Sequence, residues 1–571
     1  MCGIVGYVGD QSAGPILTAG LRKLEYRGYD SAGVALVDDR VSVYKGTGRV
    51  DEVSVPEGTQ TCGIGHTRWS THGRPTDANA HPHTDCTGRI AVVHNGIVAN
   101  YDELRAALVD RGHEFASETD TEVVAHLLEE ELGTGRDAAD ASVTDALLAV
   151  TERIEGSYAL AVVVAGREEV VVARRNSPLV VGHGATGNFV ASDVTPLLEH
   201  TREVTYLEDG DVATVAADGV TVRRADADGP VDRPVHTVDW EADAAEKGGY
   251  DHYMLKEIHE QPSALRQATA GRLDPVDGRV ALDLPVPGDL AADLDEVQLV
   301  ACGTSYHACL YGKELFERYA DVRVTVEYAS EYDVGPGRSA ERTLAVGVSQ
   351  SGETADTLRA VRTADRAGLR TLGVTNTVGS TLARESDETV YIRAGPEIGV
   401  AATKTFVSQV VTLAMVAAAL GEERGSLAPG DGRDLVANLQ ALPGAVQSVL
   451  DAEETVVETA ETYLDGDAFF FVGRDLGWSV ALEGALKLKE ISYDHAEGFA
   501  AGELKHGPLA LVTPDTPVLA VLTEGSRAGE TMNNVTEAQT RGAPALGCVS
   551  AGEAYNTLDT AFEVPDVGTV E

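Results

Sequence analysis

A thiol at position 2 is the first group in this sequence that could do chemistry. Cysteine is small enough to let the initiator methionine be removed ahead of it. Cys2 would then carry a free α-amine within reach of its own thiol. An amine with an ordinary pKa of about 7.7–8.0 is a competent base near neutral pH. One residue would thus supply both nucleophile and base. Position alone does not separate this from a cysteine placed there by chance. A second group is Ser349-Gln350-Ser351-Gly352-Glu353-Thr354, which follows the apolar run Leu344–Val348 and opens a helical pattern. A strand that turns through Ser and Gly into a helix N-terminus offers hydroxyls and backbone N–H groups to a dianion such as a phosphate. The plainer alternative is a hydroxyl-rich helix cap. A third group is Glu483, Lys487 and Glu490, whose spacings of four and three put them on one helix face. A carboxylate there could move a proton between carbons, although a solvated charged face has the same pattern. His81 and His83 lack a third ligand at useful spacing, and none of the six cysteines forms a CxxC pair. No metal is expected.

The elements that would position these groups fall into two styles. Residues 2–220 read as β-rich with interspersed helices. Strand-like runs include Ile90–Val93 and Ala159–Val164, a helix is expected at Glu122–Glu131, and turns at 209–211 and 217–219 close the last hairpins. An acidic, weakly patterned stretch from Arg223 to Gly248 reads as a linker. Helical periodicity restarts at His252, so 221–285 is taken as linker and connecting helix. From about Leu294 the pattern becomes strand, small-residue turn, helix, as in 297–308, 343–361 and 369–377. A similar opening returns at 468–488. This alternation predicts doubly wound parallel sheets in two related subdomains, 286–425 and 456–571, with a border between Gly421 and Val456. The fold class is therefore α+β followed by α/β.

The 571 residues suggest about three or four domains. The net charge is −46, and only nine basic residues are lysine. Acid spread over the whole chain, with lysine scarce, points to a salt-adapted, haloarchaeal-like protein in which ionic screening tames self-repulsion. It argues against a nucleic-acid partner, which needs a basic face. The longest apolar runs, such as Val410–Leu420, are about half of a bilayer span. The N-terminus lacks a basic signal-peptide region. A soluble, cytoplasmic protein without a membrane partner is expected.

Six motifs in order carry a family resemblance: Cys2-Gly3-Ile4-Val5-Gly6, Tyr26–Gly33 (YRGYDSAG), Gly65–Gly73 (GHTRWSTHG), His81–His83 (HPH), His94–Asn100 (HNGIVAN) and Ser117–Glu122 (SETDTE). Together they resemble the class II, N-terminal-nucleophile glutamine amidotransferases, and imply an αββα sandwich. The resemblance makes Cys2 the nucleophile. It assigns the oxyanion-stabilising donors to the Asn95 side chain and the Gly96 N–H, as acyl transfer requires. It gives the glutamine carboxylate to Arg68, a planar bidentate donor, and the ammonium to Asp120, with Thr71 and His72 completing the pocket. Arg27 and Trp69 match positions tied to closure and ammonia gating.

Cys302–Ala308 (CGTSYHA), Ser349–Thr357 and Leu482–Leu511 resemble the sugar isomerase module, and the last is diagnostic of the glucosamine-6-phosphate synthase branch. The resemblance implies phosphate binding by Ser349, Gln350, Ser351 and Thr354. It implies sugar contacts from Thr304, Ser305 and the loop at Val400, with Glu490 as base, Lys487 as proton relay and Glu483 beside them. His506 would open the sugar ring from a partner subunit, so a homodimer is implied. The expected reaction joins L-glutamine and D-fructose 6-phosphate to give D-glucosamine 6-phosphate and glutamate, with ammonia passing internally. No cofactor is expected, since the G-x-G spacings sit in no dinucleotide fingerprint.

Two departures bear on this. Ala402 stands where the family commonly has serine. The family's lysine-bearing C-terminal tail has no counterpart before Glu571, so an end that is either truncated or diverged is expected; Lys404, Lys487 and Lys505 are nearby lysines at non-matching positions. Two alternatives follow: a chain that keeps only glutaminase activity, and a regulatory sugar-phosphate sensor.

Overall fold

The computed structural model describes residues 2–25, 28–56, 58–69, 73–133, 141–227, 229–238, 249–282, 291, 293–335 and 339–568. The chain divides into two compact units, Met1–Glu246 and Lys247–Glu571.

The first unit is built on two antiparallel sheets. One has eight strands and centres on Gly3–Gly9, which pairs with Cys62–Arg68 on one side and Gly187–Ala191 on the other. The second has seven strands and centres on Ile90–Val98, Gly156–Val164 and Glu169–Arg175. Alternate residues of these strands serve two cores. Val93, Ala159, Ala161, Val163 and Val172 face Ile4, Ile64 and Val190 between the sheets. Val92, Leu160, Val162 and Val171 pack instead beneath Leu127, Leu128, Leu147 and Val150 of the helices Glu122–Leu132 and Val143–Arg153. With both faces buried, these strands read as continuous apolar runs rather than alternating ones. The helix Ala13–Leu24 lies on the eight-stranded sheet, burying Leu17, Leu21 and Leu24. The result is the expected αββα sandwich.

Part of the stretch read as a linker is sheet edge. Pro230–Val231 pairs with Val222 and Arg223, and His236–Thr237 pairs with Glu203 and Val204. The strands are two residues each, too short for periodicity to reveal. The rest of that stretch, 239–248, lies outside the described residues.

The second unit holds two five-stranded sheets, parallel throughout. The first runs Arg323–Tyr328, Glu296–Ala301, Thr343–Ser349, Arg370–Thr375, Glu388–Tyr391. The second runs Ala496–Ala500, Phe469–Gly473, Val518–Leu522, Ala545–Ser550, Thr560–Val564. Both have the 2-1-3-4-5 order of doubly wound sheets, in which sites form beyond the carboxyl ends of the strands. The region between the sheets is helical, Lys404–Arg424 then Pro429–Leu450. By length and composition Lys404–Arg424 could cross a membrane. It is 78% buried over its most apolar window and packs against Thr304–Ala320 and Tyr253–Thr269, as a core helix does.

Candidate active sites

In the first unit, the strand Gly3–Gly9 brings Cys2 beside the end of Cys62–Arg68. The Trp69 N–H points at Cys2 Sγ at 3.3 Å, and Sγ lies 3.6 Å from the Trp69 carbonyl. Burial pushes the Cys2 thiol above its ordinary pKa, opposed by the Trp69 backbone contact. The thiol form of Cys2 is therefore favoured at neutral pH.

Asn95 donates through Nδ2 to the Cys2 carbonyl at 2.9 Å. Its Oδ1 lies 3.0 Å from His66 Nε2, which lies 3.0 Å from the His94 carbonyl as well. Burial lowers the His66 pKa to about 3, so the ring is neutral. Flanked by two acceptors, Nε2 must carry its proton, and its donation to Oδ1 leaves the Asn95 amide nitrogen aimed at Cys2. His66 was not singled out from the sequence, although it lies inside the GHTRWSTHG motif. Gly96 has φ +135°, and a Cβ there would meet the Ser157 carbonyl at 2.0 Å. Only glycine leaves that backbone N–H in place.

Arg68 is 4% exposed and donates to the Gly73 carbonyl at 3.2 Å; burial lowers its pKa. Asp120 is also buried and accepts the Val98 N–H at 2.8 Å. The loop that presents Asp120 is tied down by Glu122, whose carboxylate takes the N–H groups of Ala116 and Ser117, both at 2.7 Å. Asn79 ties the Arg74 carbonyl to Glu118. Trp69 is half-exposed and meets Tyr29 edge-on at 5.5 Å. Arg27, Thr71 and His72 lie outside the described residues. His81 meets His66 at a tilt with ring centroids 4.3 Å apart and His83 edge-on at 4.7 Å, and His83 Nε2 pairs with Thr119 Oγ1 at 2.9 Å.

The second unit carries another polar constellation, between the helices Thr304–Ala320 and Leu476–Ser492. Thr304 Oγ1 donates to Glu483 Oε1 at 2.9 Å. His307 Nδ1 is 2.8 Å from Glu483 Oε2. Lys487 Nζ reaches Thr304 Oγ1 at 3.0 Å and Glu490 Oε2 at 2.7 Å. Exposure grades along the helix face: the side chains of Glu483, Lys487 and Glu490 are 6%, 17% and 33% exposed. Glu483 is thus locked inside the network, and Glu490 is the carboxylate left reachable. His307 was missed by the sequence reading; it sits one turn after Thr304, within the CGTSYHA motif. Ser305 accepts from Gln409 Nε2 at 3.0 Å.

At the carboxyl end of Thr343–Ser349 the chain turns sharply. Ser349 Oγ meets Thr354 Oγ1 at 2.9 Å and accepts the Gly352 N–H at 3.1 Å. Ser351 Oγ accepts the Glu353 N–H at 3.1 Å, and the Gln350 carbonyl accepts the Asn376 N–H at 3.0 Å. Gly352 has φ +66°, with Ser380 Oγ 2.1 Å from where a Cβ would stand. Thr354 stands at the N-terminal cap position of the following helix Ala355–Arg366, its hydroxyl turned to Ser349 rather than to the helix N–H groups. The loop containing Val400 and Ala402, which leads into the helix at Lys404, hangs on two buried carboxylates. Glu257 accepts the Gly399 N–H at 3.0 Å, and Glu397 accepts that of Thr403 at 2.8 Å. Lys404 pairs with Glu260 at 2.6 Å. His506 is exposed, at the end of the 3-10 helix Ala501–His506.

The glutamine amidotransferase domain family matches residues 66–199, and the sugar isomerase (SIS) domain family matches 292–419 and 465–558. Fold and site together define a glutamine amidotransferase joined to a pair of sugar isomerase folds. The chain is 55% identical to the glutamine--fructose-6-phosphate aminotransferase (isomerizing) of Halobacterium salinarum, over 100% of this chain and 94% of that one. It is 47% identical to the protein of that name from Thermus thermophilus, over 99% and 93%. The C-terminal domain of glucosamine-fructose-6-phosphate aminotransferase from Francisella tularensis superposes with a TM-score of 0.53 at 37% identity, covering 56% of this chain and 90% of that one. The chain belongs to the glutamine--fructose-6-phosphate aminotransferase (isomerizing) family.

Proposed function

We infer that this chain converts L-glutamine and D-fructose 6-phosphate to L-glutamate and D-glucosamine 6-phosphate. The observation that carries the first half is the aim of Asn95: its amide nitrogen, oriented by His66, faces the backbone of the residue whose thiol attacks. In this reading the α-amine of mature Cys2 takes the thiol proton as Sγ adds to the glutamine amide carbon. The tetrahedral oxyanion forms against Asn95 Nδ2 and the Gly96 N–H. Collapse expels ammonia, and water then releases glutamate from the thioester. Arg68 holds the glutamine carboxylate and Asp120 its ammonium, with Arg27, Trp69, Thr71 and His72 closing the pocket.

The second half rests on Glu490, the exposed end of the Glu483–Lys487–Glu490 face. It moves the proton from C1 to C2 of the sugar imine, with Lys487 relaying and Thr304 and Ser305 holding the sugar. Ser349, Gln350, Ser351 and Thr354 take the phosphate at the helix N-terminus, where backbone N–H groups and the helix dipole both favour an anion. The Val400 loop borders the sugar, and His506 of a second copy in a homodimer opens its ring. Ammonia passes from one site to the other.

The test is one incubation with glutamate, glucosamine 6-phosphate and the N-terminal residue all measured. Cys2→Ala is expected to abolish glutamate release. Undiminished release, or full activity in a chain that retains Met1, would refute the assignment.

A further inference from the structure

Away from both candidate sites, the first unit gathers Cys86, His113, His126 and Glu129, with one ligand atom from each and all four within 4.8 Å of one another. The separations are specific. The two Nδ1 atoms are 3.3 Å apart. Cys86 Sγ is 3.6 Å from His113 Nδ1 and 3.5 Å from His126 Nδ1. Glu129 Oε2 is 3.3 Å from His113 Nδ1 and 3.5 Å from His126 Nδ1. A tetrahedral zinc ion with bonds of about 2.0–2.1 Å to N or O and about 2.3 Å to S sets its ligands about 3.3 Å apart for N–N and N–O and about 3.6 Å apart for S–N. The five separations given match that figure, and the sixth, Cys86 Sγ to Glu129 Oε2, is within 4.8 Å.

We propose that Cys86 Sγ, His113 Nδ1, His126 Nδ1 and Glu129 Oε2 bind one zinc-class divalent cation. Thiolate and carboxylate together would balance its charge. Each imidazole turns its other nitrogen toward a carboxylate, His113 Nε2 to Glu130 Oε1 at 3.5 Å and His126 Nε2 to Glu122 Oε1 at 3.7 Å. His113 Nε2 thus faces the kind of carboxylate that orients a metal-bound histidine, while His126 Nε2 lies too far from Glu122 for a hydrogen bond. The His126 side chain is 1% exposed and Cys86 is exposed, so the ion enters from the Cys86 side. Four protein ligands leave no open position, which makes the ion structural. It would join the turn before Ile90–Val98, which carries Asn95, to the segment after Tyr101–Asp110 and to the helix that follows Asp120. The expectation of no metal came from the absence of a CxxC pair and of a third ligand near His81 and His83. Here Cys86 and His113 are 27 residues apart and the two histidines 13, with only His126 and Glu129 at a helical spacing. This proposal replaces that expectation.

The test uses the full-length chain in molar potassium chloride, stripped with a chelator, reloaded with Zn²⁺, dialysed and assayed by plasma mass spectrometry. About one zinc per chain is expected, retained in Cys2→Ala and lost in Cys86→Ser and His126→Gln. Titrating the stripped, unsubstituted chain with Co²⁺ should give a thiolate charge-transfer band and the intense visible bands of tetrahedral cobalt, saturating at one equivalent. This readout does not depend on any variant folding. A chain that stays metal-free after reloading, a cobalt complex without the thiolate band, zinc retained in Cys86→Ser, or zinc lost in Cys2→Ala would each overturn the site.

Discussion

The chemistry of the first site turns on which proton carrier limits it. Burial raises the Cys2 thiol pKa, which favours the neutral thiol. If the α-amine of Cys2 is the base, kcat/KM for glutamine should rise through about pH 7–8, following an amine of ordinary pKa, and level off by about pH 9. A profile still climbing in proportion to hydroxide above that would make the free thiolate the reactive form. Asn95→Ala removes the side-chain donor that faces Cys2. It should lower kcat by about 100- to 1,000-fold and change KM for glutamine little, as steady-state glutamate release would show.

At the scale of elements, two loops depend on buried groups that only their surroundings explain. Gly352 lets the turn after Thr343–Ser349 fold back under Ser380. Gly352→Ala, strained by its positive φ and by that contact, should raise KM for fructose 6-phosphate by about tenfold or more while glutamate release is unchanged. Glu257 behaves differently. Burial and the neighbouring Glu397 raise its pKa to about 7, against an unfolded value of about 4.3. The folded state thus holds a proton that the unfolded state has lost. The stability from neutral Glu257 is complete below about pH 4.3 and declines as pH rises toward about 7. Glu257→Gln keeps a neutral acceptor for the Gly399 N–H. It should raise the melting temperature relative to the parent by a few degrees at pH 8 and by little at pH 4.5, which calorimetry at the two pH values would decide.

For the whole molecule, the net charge of −46 sets the conditions under which everything else is read. Self-repulsion among carboxylates is screened only beyond the Debye length, about 10 Å at 0.1 M salt and about 3 Å at 1 M. Dilution from about 3 M to about 0.1 M potassium chloride should lower the melting midpoint by about 10 °C or more; an unchanged midpoint would make the acidity an ordinary surface property. The two-unit architecture makes the half-reactions separable. Glu490→Gln should release glutamate but form no aminosugar, and product analysis on one sample would show it.

Much of this was legible in the residues themselves. Hydroxyls after an apolar run announced the strand-to-helix turn, a three-and-four spacing placed Glu483, Lys487 and Glu490 on one face, and strand–turn–helix alternation announced the parallel sheets, because each signal is local and repeats with the period of its element. Asn95, Gly96, Arg68 and Asp120 were candidates only through the family resemblance of the ordered motifs, not through any local period. What the sequence could not express were meetings between distant segments. His66 turning the Asn95 amide, His307 closing on Glu483, two-residue edge strands inside an apparent linker, and Cys86 arriving beside His113, His126 and Glu129 all depend on how sheets and helices stack. No spacing along the chain encodes a distance that packing alone creates.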